Sequence, residues 1–416
     1  MASYIGAVFL CKGLMFSITL YALHSISPRD IGLIALLNNF FSLFTIVIGG
    51  SLRQIIALEF YHQSNDANAA LINDIIIIYS TILLIFFAII LTISPYINAL
   101  FFAHQATKKL IIISFLYNFL LFFMELFVQL LLYNAQITYA IYTQVLAVIV
   151  TTLCSYGALH IYGTPESLLL ASTSGTILVC SMAFYVYVSN NFFATYNIMR
   201  SLKKTLNYIV IGLPLMPPLV MGGIIGWLNR TLLTHTCGLQ EVGLYALVDM
   251  ANSCFNAVVL HPVQSTYAPY MLKKFSQQQH AAHMYQEDIY NKYMMLMSMT
   301  ALILCVPIGF FILRSYGTYV LPAYYCTIMP ALAITIIAHI FLMGTYFLSL
   351  ILQFHKQIWF LNTGVIATSM IAFFAGYLLI PHYKITGAVA AILCAYVSYF
   401  FIIMILNNVL HKKIRA

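Results

Sequence analysis

Pro28-Arg-Asp-Ile-Gly-Leu-Ile-Ala-Leu36 returns later in the chain as Leu239-Gln-Glu-Val-Gly-Leu-Tyr-Ala-Leu247. Gly, Leu, Ala and Leu are identical, and Asp/Glu and Ile/Val are conservative exchanges. The offset from residue 28 to residue 239 is 211, close to half of the 416-residue chain. At the same offset Leu23-His24-Ser25 falls on Thr234-His235-Thr236, and Gly49-Gly50-Ser51 falls on Leu260-His261-Pro262. A helix-weakening Gly or Pro element thus recurs at the same depth in both copies. Each copy lies at a polar corner between two long apolar runs, so a helical hairpin near the N-terminus recurs in the second half.

The solvent around those hairpins follows from composition. The chain is 62% hydrophobic and 7% charged, with a mean hydropathy of +0.94. Soluble domains run near a quarter charged, so this sequence could not cover a water-facing surface. In a bilayer the backbone must satisfy its own hydrogen bonds, as helices or as a closed barrel. Unbroken apolar runs of about 20 residues, rather than alternating strands of about 10, select helices. About twelve are expected, near 5–25, 31–53, 72–94, 111–133, 139–157, 168–189, 214–236, 242–264, 293–313, 323–352, 358–380 and 386–410. Pro307, Pro322 and Pro330 interrupt the ninth and tenth. The first run carries Lys12 in its interior and lacks a basic leader, so it reads as a retained helix.

An even number of helices separates the two copies, which gives the halves one orientation and relates them by an axis along the membrane normal. The fold class expected is an all-α integral membrane protein with two pseudo-symmetric six-helix lobes, 1–200 and 201–416, around a central cavity. With both termini in the cytoplasm, Arg53, Arg200, Lys203, Lys204, Lys273, Lys274, Lys292, Lys356, Lys412, Lys413 and Arg415 lie inside. Only Arg29, Lys108, Lys109, Arg314 and Lys384 lie outside, and the excess of basic residues inside favours this orientation. The eight cysteines are scattered without a CxxC or a His/Cys cluster, and read as packing residues.

Further stretches resemble a known family. Gly212-Leu-Pro-Leu-Met-Pro217, Trp227-Leu-Asn-Arg230-Thr-Leu-Leu and Gly238-Leu-Gln-Glu-Val-Gly-Leu-Tyr245 resemble helices seven and eight of the polysaccharide-transporter flippases. These belong to the multidrug/oligosaccharidyl-lipid/polysaccharide superfamily, which also contains drug antiporters. Ile26-Ser-Pro-Arg-Asp-Ile-Gly-Leu33 resembles that family's first loop. Leu379-Ile-Pro-His-Tyr-Lys-Ile-Thr-Gly-Ala-Val-Ala-Ala391 resembles the start of its last helix. The family often has Asp-Arg in helix seven, where this chain has Asn229-Arg230. The resemblance implies a bacterial inner-membrane flippase moving an undecaprenyl-pyrophosphate-linked oligosaccharide, such as an O-antigen unit, to the outer leaflet by alternating access. A polysaccharide polymerase and a chain-length regulator are the protein partners it implies, alongside membrane lipids, with no nucleic acid.

Charges buried in a membrane are costly and mark functional positions. Lys12 and Glu125 lie roughly 10 and 12 Å from the cytoplasmic face, and Arg230 and Asp249 roughly 9 and 10 Å from the opposite face. Opposite charges thus sit at matched depths, one couple per lobe. The expectation is that Lys12 and Arg230, with Arg53 at the cytoplasmic end of helix two, receive the pyrophosphate. Glu125 and Asp249, released from their pairs, would serve ion coupling by protons or sodium ions; no other cofactor is expected. Permanently closed pairs that only join helices are the plainer alternative. No GxxxxGK[ST] loop is present, and the polar segments Arg53–Asp74 and Ala268–Lys292 are too short for a catalytic domain. A membrane polysaccharide polymerase would want a large outward loop, and a drug/cation antiporter would want acids dominating the cavity.

Overall fold

Long apolar runs in this chain become helices that extend beyond the bilayer's hydrocarbon thickness. The structure, a computed structural model, describes residues 2–59, 65–102, 106–133, 137–189, 216–256, 267, 271, 290–300, 302–303, 328–354 and 357–415. Its elements are α1 (Ala2–Ser25), α2 (Pro28–Glu59), α3 (Asn65–Phe102), α4 (Lys108–Tyr133), α5 (Ile137–Tyr162) and α6 (Pro165–Ser189). They continue with α7 (Met216–Cys237), α8 (Leu239–Phe255), α9 (Met329–Phe354) and α10 (Ile358–Arg415). Residues 290–300 and 302–303 are also helical, where the ninth helix was expected. Among the described residues every regular element is a helix, and seven are long and apolar enough to cross a membrane. The chain is a multi-pass membrane protein.

The apolar stretch of α10 runs from Trp359 to Leu410, 52 residues, or about 78 Å at the helical rise, which is two crossings of a ~30 Å core. Its break is at Lys384 (φ 51, ψ −125), between the expected helices 358–380 and 386–410. Two connections are shorter than their polarity suggested. The segment Arg53–Asp74 is largely the ends of α2 and α3, and Gly157–Ser167 is mostly the end of α5 and the start of α6. Outside the hydrocarbon, polar side chains are solvated while the backbone keeps its helical hydrogen bonds, so polarity does not end a helix there. At the α5–α6 corner, Gly163 (φ 57) supplies the left-handed residue. Thr164 and Ser167 then cap each other reciprocally, backbone N–H to side-chain oxygen, at 3.3 Å each.

The chain divides into two compact units, Ala2–Trp227 and Leu228–Ala416. The lobe boundary expected at 200/201 lies outside the described residues. In the first unit α5 packs along α6, α4 along α6 and α1 along α5. Gly175 of α6 lets α5 approach so closely that a Cβ there would lie 2.7 Å from Thr151 Cγ2. In the second unit α9 packs along the two limbs of α10, with Gly344 pressed against the Phe400 ring.

The internal repeat extends well beyond the nine residues that first show it. α2 begins at Pro28 and α8 at Leu239, the 211-residue offset. From there the offset becomes 221 and holds: α4 spans 108–133 and α9 spans 329–354, both 26 residues long. α5 begins at 137 and α10 at 358, and the left-handed corner at Gly163 has its counterpart at Lys384. Where the first lobe uses glycine at this corner, the second uses a lysine whose Nζ donates to Glu241 Oε1 at 3.0 Å.

Candidate functional site

The second lobe's hairpin turns at Gly238, whose φ of 90 needs no Cβ. Arg230 precedes this corner by eight residues and Asp249 follows it by eleven, so their Cα atoms stand roughly 12 and 16 Å from it. Side chains lean toward the N-terminus of their helix, which carries the Arg230 guanidinium away from the corner and toward the depth of Asp249. Arg230 Nη2 donates to Asp249 Oδ2 in an ion pair. The residue that partners Arg230 is thus on α8, across the hairpin, and Asn229 occupies the position beside the arginine.

The pair is set in a buried polar cluster. Arg230 is 7% exposed, and its Nε and Nη1 have no hydrogen-bond partner among the described residues. Its Cζ lies 5.8 Å from the centroid of the Tyr245 ring, one turn before Asp249 on α8. Asn229 is buried beside the Tyr245 phenol, and its Oδ1 faces Gly376 of α10, where a Cβ would lie at 3.1 Å. His339 of α9 is fully buried. Its Nδ1 is 2.8 Å from the Thr335 carbonyl, which can only accept, so Nδ1 carries the proton and Nε2 is left with its lone pair. The ring packs edge-on against Phe255 of α8 (5.1 Å) and Tyr396 of α10 (5.9 Å), and Asp249 interacts electrostatically with both His339 and Tyr396.

Of the residues expected at a site, the structure brings together Arg230 and Asp249. Lys12 lies on α1 and Arg53 on α2, with side chains outside the described residues, so the Lys12–Glu125 couple is outside them too. Glu125 is an exposed residue of α4 that acts electrostatically on Tyr117, two turns earlier. His24 and His235 are exposed at equivalent corner positions. Sequence reasoning passed over Tyr245, His339 and Tyr396. The one signal for His339 was a lone imidazole within the apolar run 331–350; thirty tyrosines hid the other two.

What the cluster offers chemically is a desolvated guanidinium with one nitrogen committed to a carboxylate and two uncommitted, together with a buried imidazole that the same carboxylate reaches electrostatically. Such a group binds an anion by charge-assisted hydrogen bonds.

Comparison with known proteins places the fold. Residues 1–275 match the profile of the family described as polysaccharide biosynthesis protein. No curated protein sequence matches the chain. Among solved structures, the lipid II flippase MurJ in an inward closed conformation is similar, with a TM-score of 0.75 at 15% identity, covering 98% of this chain and 87% of that one. An inward-facing multidrug resistance transporter of the MATE family, MOP superfamily, gives 0.70 at 10% identity, covering 98% and 95%. A MOP superfamily transporter from Pyrococcus furiosus gives 0.56 at 11% identity, covering 99% and 96%. The fold is therefore that of the two-lobed, twelve-helix MOP superfamily transporters.

Proposed function

Because the chain belongs to the polysaccharide biosynthesis protein family, we propose that it is a flippase for a lipid-linked oligosaccharide, moving an undecaprenyl-pyrophosphate-linked repeat unit from the cytoplasmic to the outer leaflet of a bacterial inner membrane by alternating access. The observation that carries the reading is Arg230, a buried guanidinium whose Nε and Nη1 are unpartnered among the described residues. A diphosphate presents several acceptor oxygens and can engage these donors without first breaking the bond to Asp249. Lys12 and Arg53 would supply further cationic contacts along the path, and Glu125 with Asp249 would take part in ion coupling. Both termini would be cytoplasmic, and the delivered unit would pass to a polymerase working with a chain-length regulator. The structurally similar protein named a lipid II flippase supports a lipid-linked cargo, while those named multidrug transporters favour drug export as the second reading.

Deleting the gene in its host and analysing lipid-linked saccharides by leaflet separates the readings. Single repeat units trapped on the cytoplasmic leaflet, released by the wild-type gene and not by Arg230→Ala, are expected. An unchanged pool accompanied by sensitivity to cationic drugs would replace the flippase with the antiporter. Single units that reach the outer leaflet and stay unpolymerised would point to a polymerase.

A further inference from the structure

Helices of matched length and constant spacing give each member of the Arg230 cluster a counterpart in the first lobe. Arg230 and Asp249 correspond to Thr19 and Asn38 at the 211-residue offset, and His339 and Tyr396 to Asn118 and Gly175 at the 221-residue offset. The correspondence reaches the hydrogen bonds. Asn118 donates from Nδ2 to the Ser114 carbonyl at 2.8 Å and to Asn38 Oδ1 at 3.2 Å. His339 donates from Nδ1 to the Thr335 carbonyl, also 2.8 Å and also one turn back, and interacts with Asp249, the counterpart of Asn38. An uncharged amide is therefore enough to join these two helices, as it does in the first lobe. In the second lobe the same two positions hold an imidazole and a carboxylate, which together can bind a proton where two amides cannot.

The position open to that proton is Nε2. The ring is fully buried, Nδ1–H is held by a carbonyl, and Nε2 has no hydrogen-bond partner among the described residues. The ring packs against Phe255 from α8 and Tyr396 from α10 and bonds the Thr335 carbonyl of α9, and the charged group that reaches it electrostatically is Asp249 of α8, the partner of Arg230 of α7. Charge balance then decides the behaviour. With a neutral ring, Arg230 and Asp249 cancel. A proton on Nε2 leaves one net positive charge in a buried site, which is costly until an anion arrives.

We propose that His339 Nε2 is a proton-binding site linked to anion binding at Arg230, so that the second lobe takes up a proton and a phosphate-bearing headgroup together. The anion half rests on the reading of Arg230 given above; the proton half stands on His339 and Asp249 alone. Linkage is reciprocal: the factor by which the anion tightens proton binding is the factor by which the proton tightens anion binding.

The test uses the full chain in zwitterionic nanodiscs, with ring-15N histidine and inorganic pyrophosphate as the probe. Twelve histidines are present, and His339→Asn assigns the signal while installing the first lobe's residue, with a single chromatographic peak as the folding control. Between about pH 5 and 9 the His339 signal titrates, and pyrophosphate raises its proton affinity by at least about fivefold. Asp249→Asn lowers that affinity. Acidification tightens pyrophosphate binding to the wild type more than to His339→Asn, the ligand's own titration being common to both. A ring that stays in the Nδ1–H neutral form throughout, or titrates without regard to Asp249, overturns the proton site. A ring that titrates while pyrophosphate binds at no pH overturns the headgroup reading and the linkage. Pyrophosphate binding beside a silent ring overturns the linkage and leaves the headgroup reading standing.

Discussion

Replacing Asp249 by Asn removes the charge that holds Arg230 and leaves the side-chain volume nearly unchanged. Arg230 would then be a 7% exposed guanidinium with no carboxylate and two nitrogens already unpartnered. Removing one partner of a fully buried pair costs about 3–5 kcal/mol. The Asp249 side chain is 27% exposed, so water screens part of the charge. The loss discounted for that screening is about 2–3 kcal/mol. Arg230→Met costs less, about 1–2 kcal/mol, because the abandoned carboxylate is nearer solvent and can be hydrated or protonated. Arg230→Met/Asp249→Asn removes both charges, and with a coupling of about 2 kcal/mol the double variant loses about 1–3 kcal/mol where the two single losses sum to about 3–5 kcal/mol. Unfolding in nanodiscs can be followed by the two tryptophans, Trp227 and Trp359, the first lying one helical turn before Arg230. Losses that add, with the double variant as unstable as the sum of the singles, would refute an energetically coupled pair.

Three further outcomes follow from the packing and the corners. Gly175→Leu drives a side chain into Thr151 and forces α5 from α6, lowering thermal stability by about 1–3 kcal/mol, whereas Gly157→Leu, with nothing within 4 Å, leaves it unchanged. Lys384→Gly relieves a left-handed φ and melts no lower than the wild type, while Lys384→Ala keeps the strained backbone, loses the bond to Glu241 and melts lower; equal melting of the two variants would contradict this. With native cysteines replaced, Thr164→Cys at the α5–α6 corner reacts with an impermeant thiol reagent added outside intact cells, and labelling only after lysis would reverse the proposed orientation.

The nine-residue repeat was already a statement about architecture, because apolar helices in lipid have few ways to satisfy their backbone groups. Hydrophobic length and turn residues therefore fixed the helices and their pairing into two similar halves, and even the break inside α10 was readable from Pro381 and its polar neighbours. Helix ends were less legible, as in α2 and α5, since nothing at the interface obliges a polar residue to leave a helix.

Depth along a helix could be counted in the sequence, so Arg230 and Asp249 could be set at one level before any contact was known. Rotation about the helix axis and the approach of distant helices could not be counted, and these depend on packing. They decide that Asp249 closes onto Arg230 while Asn229 turns to Gly376. They also bring His339, 90 residues along the chain, within electrostatic reach of the same carboxylate, with Tyr396 edge-on to its ring. In an apolar run a single histidine has no periodic signal of its own. Only the fold shows that it occupies the place of Asn118 and repeats that residue's hydrogen bond with a group able to carry charge.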